Sequence, residues 1–160
     1  MKIAVIGSGN WGKNLVKNFA NLGVLVAVAD AVEANLDWLA KEYPEVVRYE
    51  SSDDLLALED LDAVAIATPP HTHCSIAMGA MEKGLDVFVE KPMTLDPEEA
   101  RLLKETASNC GRILMVGHLL LYQPAIQFIK KYLDNGNLGK VFTLTQRRSK
   151  LGRVRSVENV

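Results

Sequence analysis

Ile3-Ala4-Val5-Ile6-Gly7-Ser8-Gly9-Asn10-Trp11-Gly12 opens the chain and decides its fold. Four consecutive apolar residues make a short strand with no polar face, as a strand covered on both sides requires. Glycines follow at the first, third and sixth positions of a turn, and a helical pattern begins immediately after. Each glycine has its own task. Gly7 permits the tight turn, Gly9 leaves the backbone bare for a pyrophosphate, and Gly12 lets the helix lie close to the strand. The start of the following helix offers unpaired N–H groups and the positive end of its dipole. A second apolar run, Val24 to Ala29, ends on Asp30, at the offset where a carboxylate accepts hydrogen bonds from an adenosine ribose. Strand, glycine turn, helix and distal acid together predict dinucleotide binding by Gly7, Ser8, Gly9, Asn10, Trp11, Gly12 and Asp30. Trp11 either covers the pyrophosphate or packs. Asp30 carries a charge that repels a 2′-phosphate, and no lysine or arginine follows it directly, so the expected cofactor is NAD rather than NADP.

Beyond this unit, strand and helix signals alternate. Strands are expected at 2–6, 24–29, 46–50, 62–67, 86–89 and 113–116, with 46–50 as an edge because it mixes charge into the run. Leu15, Phe19 and Leu22 give the first helix an apolar stripe. Ser51 or Ser52 caps a short helix. Asp96-Pro97-Glu98-Glu99 starts a longer one that runs to about Asn109 and stops at Gly111. Six such alternations predict an α/β fold, a doubly wound parallel sheet of the Rossmann type with right-handed crossovers. Its ligand should lie across the carboxyl ends of the strands.

The last forty residues break the pattern. A helix near Gln123–Leu133 and the turn Asn135-Gly136-Asn137-Leu138-Gly139 precede a strand-like alternation from Lys140 to Arg147. That segment is expected to be the first strand of a truncated second α/β domain, whose exposed edge would favour aggregation or strand exchange. The expected domains are 1–120, binding NAD, and 121–160, the incomplete start of a substrate and oligomerisation domain.

Composition bounds the function. The chain has 160 residues, 48% of them apolar and 24% charged, with a net charge of −2. This suits one globular domain and argues against nucleic-acid binding, although Lys140, Arg147, Arg148, Lys150, Arg153 and Arg155 form a basic tail that would be a solvated face or an anion contact. Cys74 and Cys110 match neither a disulfide framework nor a paired metal motif. Reduced thiols, no signal-peptide core and no run of membrane-spanning length point to the cytoplasm and away from membranes. His71, His73 and Cys74 lack a second ligand cluster, so no metal is expected.

Three further segments end at the same rim. Thr68-Pro69-Pro70 follows the fourth strand, where the cofactor's ribose and nicotinamide would pass, and His73 lies in the next helix. Glu90-Lys91-Pro92 follows the fifth strand. By spacing alone it is a surface ion pair before a proline turn; beside a nicotinamide its lysine could act as general acid or base. His118 follows the sixth strand and contacts substrate or nicotinamide at the cleft, or else packs or faces solvent.

Together, the glycine turn, Ala67-Thr68-Pro69-Pro70 with His73, and Glu90-Lys91-Pro92 resemble the glucose-fructose oxidoreductase, inositol dehydrogenase and rhizopine-catabolism family (Gfo/Idh/MocA). Gly117-His118-Leu119-Leu120-Leu121-Tyr122 with Pro124-Ala125 is similar to its nucleotide-sugar branch, such as UDP-N-acetylglucosaminuronate 3-dehydrogenases. The resemblance covers the amino-terminal half of a family member. It implies an NAD-dependent oxidoreductase moving a hydride between a sugar or nucleotide-sugar hydroxyl and the nicotinamide. It implies Lys91 as the proton-transfer residue, Glu90 and Lys91 beside the nicotinamide ribose, and a homo-oligomeric full-length protein. A histidine in the second domain is the usual partner of that lysine, and the sequence stops before any such motif. The other reading is a dinucleotide-binding module, or an inactive fragment, that catalyses nothing.

Overall fold

Six parallel strands, in the order β3-β2-β1-β4-β5-β6, form the sheet of this computed structural model, which describes residues 1–147 and Ser149. The strands are β1 (Ile3–Ile6), β2 (Leu25–Ala29), β3 (Val47–Tyr49), β4 (Ala63–Ile66), β5 (Asp86–Val89) and β6 (Leu114–Val116). The described residues also form six α-helices: α1 (Gly12–Asn21), α2 (Ala34–Glu42), α3 (Ser52–Leu56), α4 (His73–Glu82), α5 (Pro97–Cys110) and α6 (Pro124–Asp134). All six expected strands are present, β5 over the expected residues and the other five shortened by a residue or two, and β3 is an edge strand as its mixed composition predicts. The strand order reverses between β1 and β4, which opens the crevice at their carboxyl ends.

Alternation along β1 explains the two layers. Ala4 and Ile6 face one core with Ala27, Ala29, Val64, Ile66, Val87 and Val89, closed by Ala77, Ala80 and Met81 of α4 and Leu103 and Ala107 of α5. Val5 faces the other core with Val28 and Ala65, closed by Val16 of α1 and Leu36 and Leu39 of α2. Alanines on strands and helices keep the layers close, and both faces are dry, so the strands carry no polar alternation.

Local chemistry sets the helix ends. The Asp96 carboxylate accepts from the Glu98 amide at 2.8 Å with Pro97 at the first position, and Gly111 ends α5 in the left-handed region at φ 63°. Ser51 caps α3 through the Asp53 amide. The expected stripe on α1 needs correction. Leu15 and Phe19 pack against the core, but Leu22 is 70% exposed. The helix ends at Asn21, so Leu22 falls outside the helical phase, and fully buried Val16 takes the central place.

Met1–His118 form one compact unit, and a second begins at Leu119. In the second, a 3₁₀ turn at Leu119–Tyr122 leads into α6, where Phe128 and Tyr132 stack with ring centroids 6.0 Å apart. The strand expected over Lys140–Arg147 is not present: those residues adopt no regular structure. A strand needs a ladder partner for its amides and carbonyls, and among the described residues none is offered to this one. Arg148, Lys150, Arg153 and Arg155 of the basic tail lie outside the described residues. No described helix is long and apolar enough to cross a membrane.

Candidate functional site

Each glycine of the first turn has a distinct environment. Gly7 has φ +92°, and a Cβ there would lie 2.7 Å from the backbone of Ala67 and Thr68. A Cβ on Gly12 would come within 1.9 Å of the Gly7 carbonyl oxygen, so α1 can begin where it does only with glycine at that position. Gly9 is different. Its Cβ would meet nothing nearer than the Asn35 Nδ2 at 4.0 Å. The space in front of Gly9 is open, at the carboxyl end of β1 and at the start of α1, the place where backbone amides can meet a diphosphate. This donor set and this bare backbone fit a dinucleotide.

Asp30, immediately after β2, is held in four hydrogen bonds. Its Oδ2 accepts from the Ser8 amide at 2.6 Å and from the Ser8 hydroxyl at 3.2 Å; its Oδ1 accepts from the Val32 amide at 2.9 Å and from Asn35 Nδ2 at 3.1 Å. Ser8 is fully buried and also donates to the Asn35 carbonyl at 3.0 Å. The carboxylate therefore ties the glycine turn to the start of α2 in addition to facing the rim.

Trp11 and Glu90, far apart in sequence, meet across the strand ends. The indole Nε1–H donates to Glu90 Oε1 at 2.5 Å, and Glu90 Oε2 accepts from the Lys91 amide at 3.2 Å. Glu90 is buried, whereas Trp11 keeps 45% of its surface exposed. A Cβ on Gly117 would lie 3.1 Å from the Glu90 carboxyl group, so that glycine makes room for it. Sequence reasoning placed Trp11 either over the pyrophosphate or in packing; the indole is in fact anchored to the end of β5. Lys91, next to Glu90, has an exposed side chain, and the Lys91–Pro92 peptide is cis.

Thr68 is half-buried and Pro69 exposed at the end of β4, where the Thr72 hydroxyl donates to Thr68 Oγ1 at 2.7 Å. His73 was expected among the groove residues, but the ring is only 1% exposed. Its Nδ1 lies 2.9 Å from the Pro92 carbonyl and its Nε2 2.9 Å from the Thr68 carbonyl. Both nitrogens are engaged with the backbone of the two loops that follow β4 and β5, so the ring joins those loops and has no edge left for a ligand. His118 is exposed at the end of β6. Its amide donates to the Val116 carbonyl at 2.7 Å.

The site thus gathers Gly7 to Gly12, Asp30, Thr68, Pro69, Glu90, Lys91 and His118 along one rim of one sheet. Sequence reasoning missed Asn35, and it quoted Gly117 within a motif without the room that this residue leaves for Glu90; each acts through a contact made only in the fold. No group of three or more potential metal ligands occurs among the described residues. A separate cavity of about 210 Å³, lined by Glu33, Leu36, Asp37, Ala40, Arg48, Tyr49 and Glu50, lies between α2 and β3 and includes none of the rim residues.

The model of the Gfo/Idh/MocA family, described as an oxidoreductase family with an NAD-binding Rossmann fold, matches residues 1–118. The scyllo-inositol 2-dehydrogenase (NAD(+)) of Bacillus subtilis strain 168 is 36% identical over 146 residues, covering 88% of this chain and 42% of that protein. The UDP-N-acetylglucosamine 3-dehydrogenase of Acidithiobacillus ferrooxidans is 35% identical over 136 residues, covering 82% of this chain and 41% of that protein. Among solved structures, scyllo-inositol dehydrogenase from Lactobacillus casei with bound NAD(H) and scyllo-inositol superposes with a TM-score of 0.81 at 29% identity, over 87% of this chain and 42% of that one. The chain therefore spans about two fifths of the length of these relatives.

Proposed function

The chain belongs to the Gfo/Idh/MocA family of oxidoreductases, with its NAD-binding Rossmann fold, and from that premise we propose that it is the cofactor-binding part of an NAD-dependent enzyme acting on a cyclic polyol, sugar or nucleotide-linked sugar. In this reading residues 1–120 bind the cofactor and 121–160 begin the domain that holds substrate. The observation that carries it is the open space before Gly9 at the reversal point of the sheet, with Asp30 one strand away.

NAD, when bound, supplies the hydride-accepting ring, and the protein supplies orientation and proton transfer. The Gly7–Gly12 turn holds the diphosphate on its amides. Asp30 accepts from the adenosine ribose by exchanging part of its present set of donors. Thr68, Pro69 and His118 border the nicotinamide half. Lys91 Nζ, exposed at the end of β5, holds or moves the proton of the reacting hydroxyl. The similarity to an inositol dehydrogenase and to a UDP-sugar dehydrogenase supports a substrate with vicinal ring hydroxyls, either free as in an inositol or carried on a nucleoside diphosphate. A cytoplasmic, homo-oligomeric full-length enzyme belongs to the same reading.

Two measurements test it. Calorimetric titration with NADH should show one site per chain, and no binding would overturn the reading. Reduction of NAD across a panel of inositols, sugars and UDP-sugars then separates an enzyme from a dinucleotide-binding module that turns nothing over.

A further inference from the structure

Trp11 and Glu90 span an unusual gap. Trp11 precedes α1, which leaves the end of β1, and Glu90 directly follows β5; β4 lies between these strands. Their hydrogen bond therefore crosses two inter-strand spacings, about 9–10 Å. It lies where a dinucleotide passes from the β1 side of the crevice to the β5 side. The carboxyl group beneath is 6% exposed and receives the indole N–H and the Lys91 amide. Gly117 leaves it room from the β6 side. No cationic side chain forms an ion pair with it among the described residues.

A carboxyl group buried with two N–H donors and no ion pair keeps part of its desolvation cost, and in that low-dielectric setting its charge acts strongly on whatever occupies the crevice above it. Resting on the function proposed above, we propose that the Trp11–Glu90 pair is a sensor of cofactor oxidation state: its buried carboxylate favours the positively charged nicotinamide ring of NAD⁺ over the neutral ring of NADH. The two forms differ by one unit of charge at that ring, so a fixed anion under the crevice discriminates between them. Trp11 acts as a positioning residue. Its indole N–H fixes the carboxylate against Gly117, and its exposed ring walls the crevice.

Dissociation constants for NAD⁺ and for NADH, measured by calorimetry on the whole chain at neutral pH, provide the test. Glu90→Gln keeps shape and removes charge. It should weaken NAD⁺ by about tenfold, the scale of a partly screened unit charge, and leave NADH nearly unchanged. Trp11→Phe, at a half-exposed position that tolerates change, should move the ratio of the two constants in the same direction by about threefold, because the carboxylate loses one donor. Trp38→Phe should leave that ratio alone. In a ¹⁵N-labelled sample the Trp11 indole proton should lie downfield and shift upfield in Glu90→Gln. Equal weakening of both nucleotides, or an unchanged ratio in the two variants, overturns this proposal and leaves the function intact. Failure of the native chain to bind either nucleotide overturns both.

Discussion

Asp30 accepts two hydrogen bonds from Ser8, one from its amide at 2.6 Å and one from its hydroxyl at 3.2 Å. The acid at the end of β2 thus holds the glycine turn in shape as well as facing the rim. Replacement of Asp30 by alanine should therefore cost stability and affinity together: about 2–3 kcal/mol in urea denaturation, from the loss of charge-assisted bonds to a buried serine, and ten- to a hundredfold, roughly, in NAD affinity. Native stability in this variant would contradict the tie. Native NAD affinity would remove Asp30 from the ribose site.

Gly9 and Gly12 should respond in opposite ways. Gly12→Ala drives a methyl group into the Gly7 carbonyl and should destabilise the fold by about 3 kcal/mol. Gly9→Ala meets open space, so its stability should stay within about 0.5 kcal/mol of native. That same methyl occupies the diphosphate's approach and should weaken NADH by about tenfold or more, a loss of 1.4 kcal/mol, roughly, per decade. Calorimetry and denaturation on both variants check the contrast.

His73→Phe removes the ring nitrogens that face the Thr68 and Pro92 carbonyls while keeping an aromatic ring in the site. Denaturation should show a loss of about 1–3 kcal/mol. Amide exchange should rise in the segments after β4 and β5. His71→Phe, at an exposed position, should show neither effect.

Lys91→Ala leaves the sheet untouched because the side chain is exposed. In a form of the enzyme that turns over substrate, kcat should fall by about a hundredfold or more, the usual contribution of a proton-transfer group. NAD affinity should change far less. Equal turnover would exclude Lys91 from the chemistry.

Burial raises the Cys74 thiol above its ordinary value, and the charge of Glu99 adds to the effect. The folded state keeps this proton in a range where the unfolded chain has released it. Its contribution to stability is complete below the ordinary thiol range and declines as pH rises through that range toward the folded value. Denaturation at rising alkaline pH should show a decline that Cys74→Ala reduces. A thiol reagent should modify half-exposed Cys110 well before Cys74.

What a sequence can disclose depends on the distance over which its signals act. The apolar runs of β1, β2, β4 and β5, the caps at Asp96 and Gly111 and the glycine spacing are local, and each is legible because strand burial, capping and turn geometry involve neighbours in the chain. The alternation of these elements was enough to determine a doubly wound parallel sheet and the rim on which its ligand lies. Leu22 and the segment Lys140–Arg147 were misplaced for related reasons. An apolar period does not mark where a helix stops, and a strand-like pattern does not form a strand without a partner to complete its ladder.

By itself the sequence determined the architecture, the glycine turn and which strand ends carry polar residues. The tertiary structure alone decided how those residues are used. Ser8 reaches Asp30 over 22 positions and Trp11 reaches Glu90 over 79, and His73 spans two loops instead of facing the crevice. The physical reason is that a hydrogen-bonding group is satisfied by whatever donor or acceptor lies within about 3 Å of it, and at the carboxyl edge of a parallel sheet those neighbours come from segments that the crossovers, not the chain order, bring together.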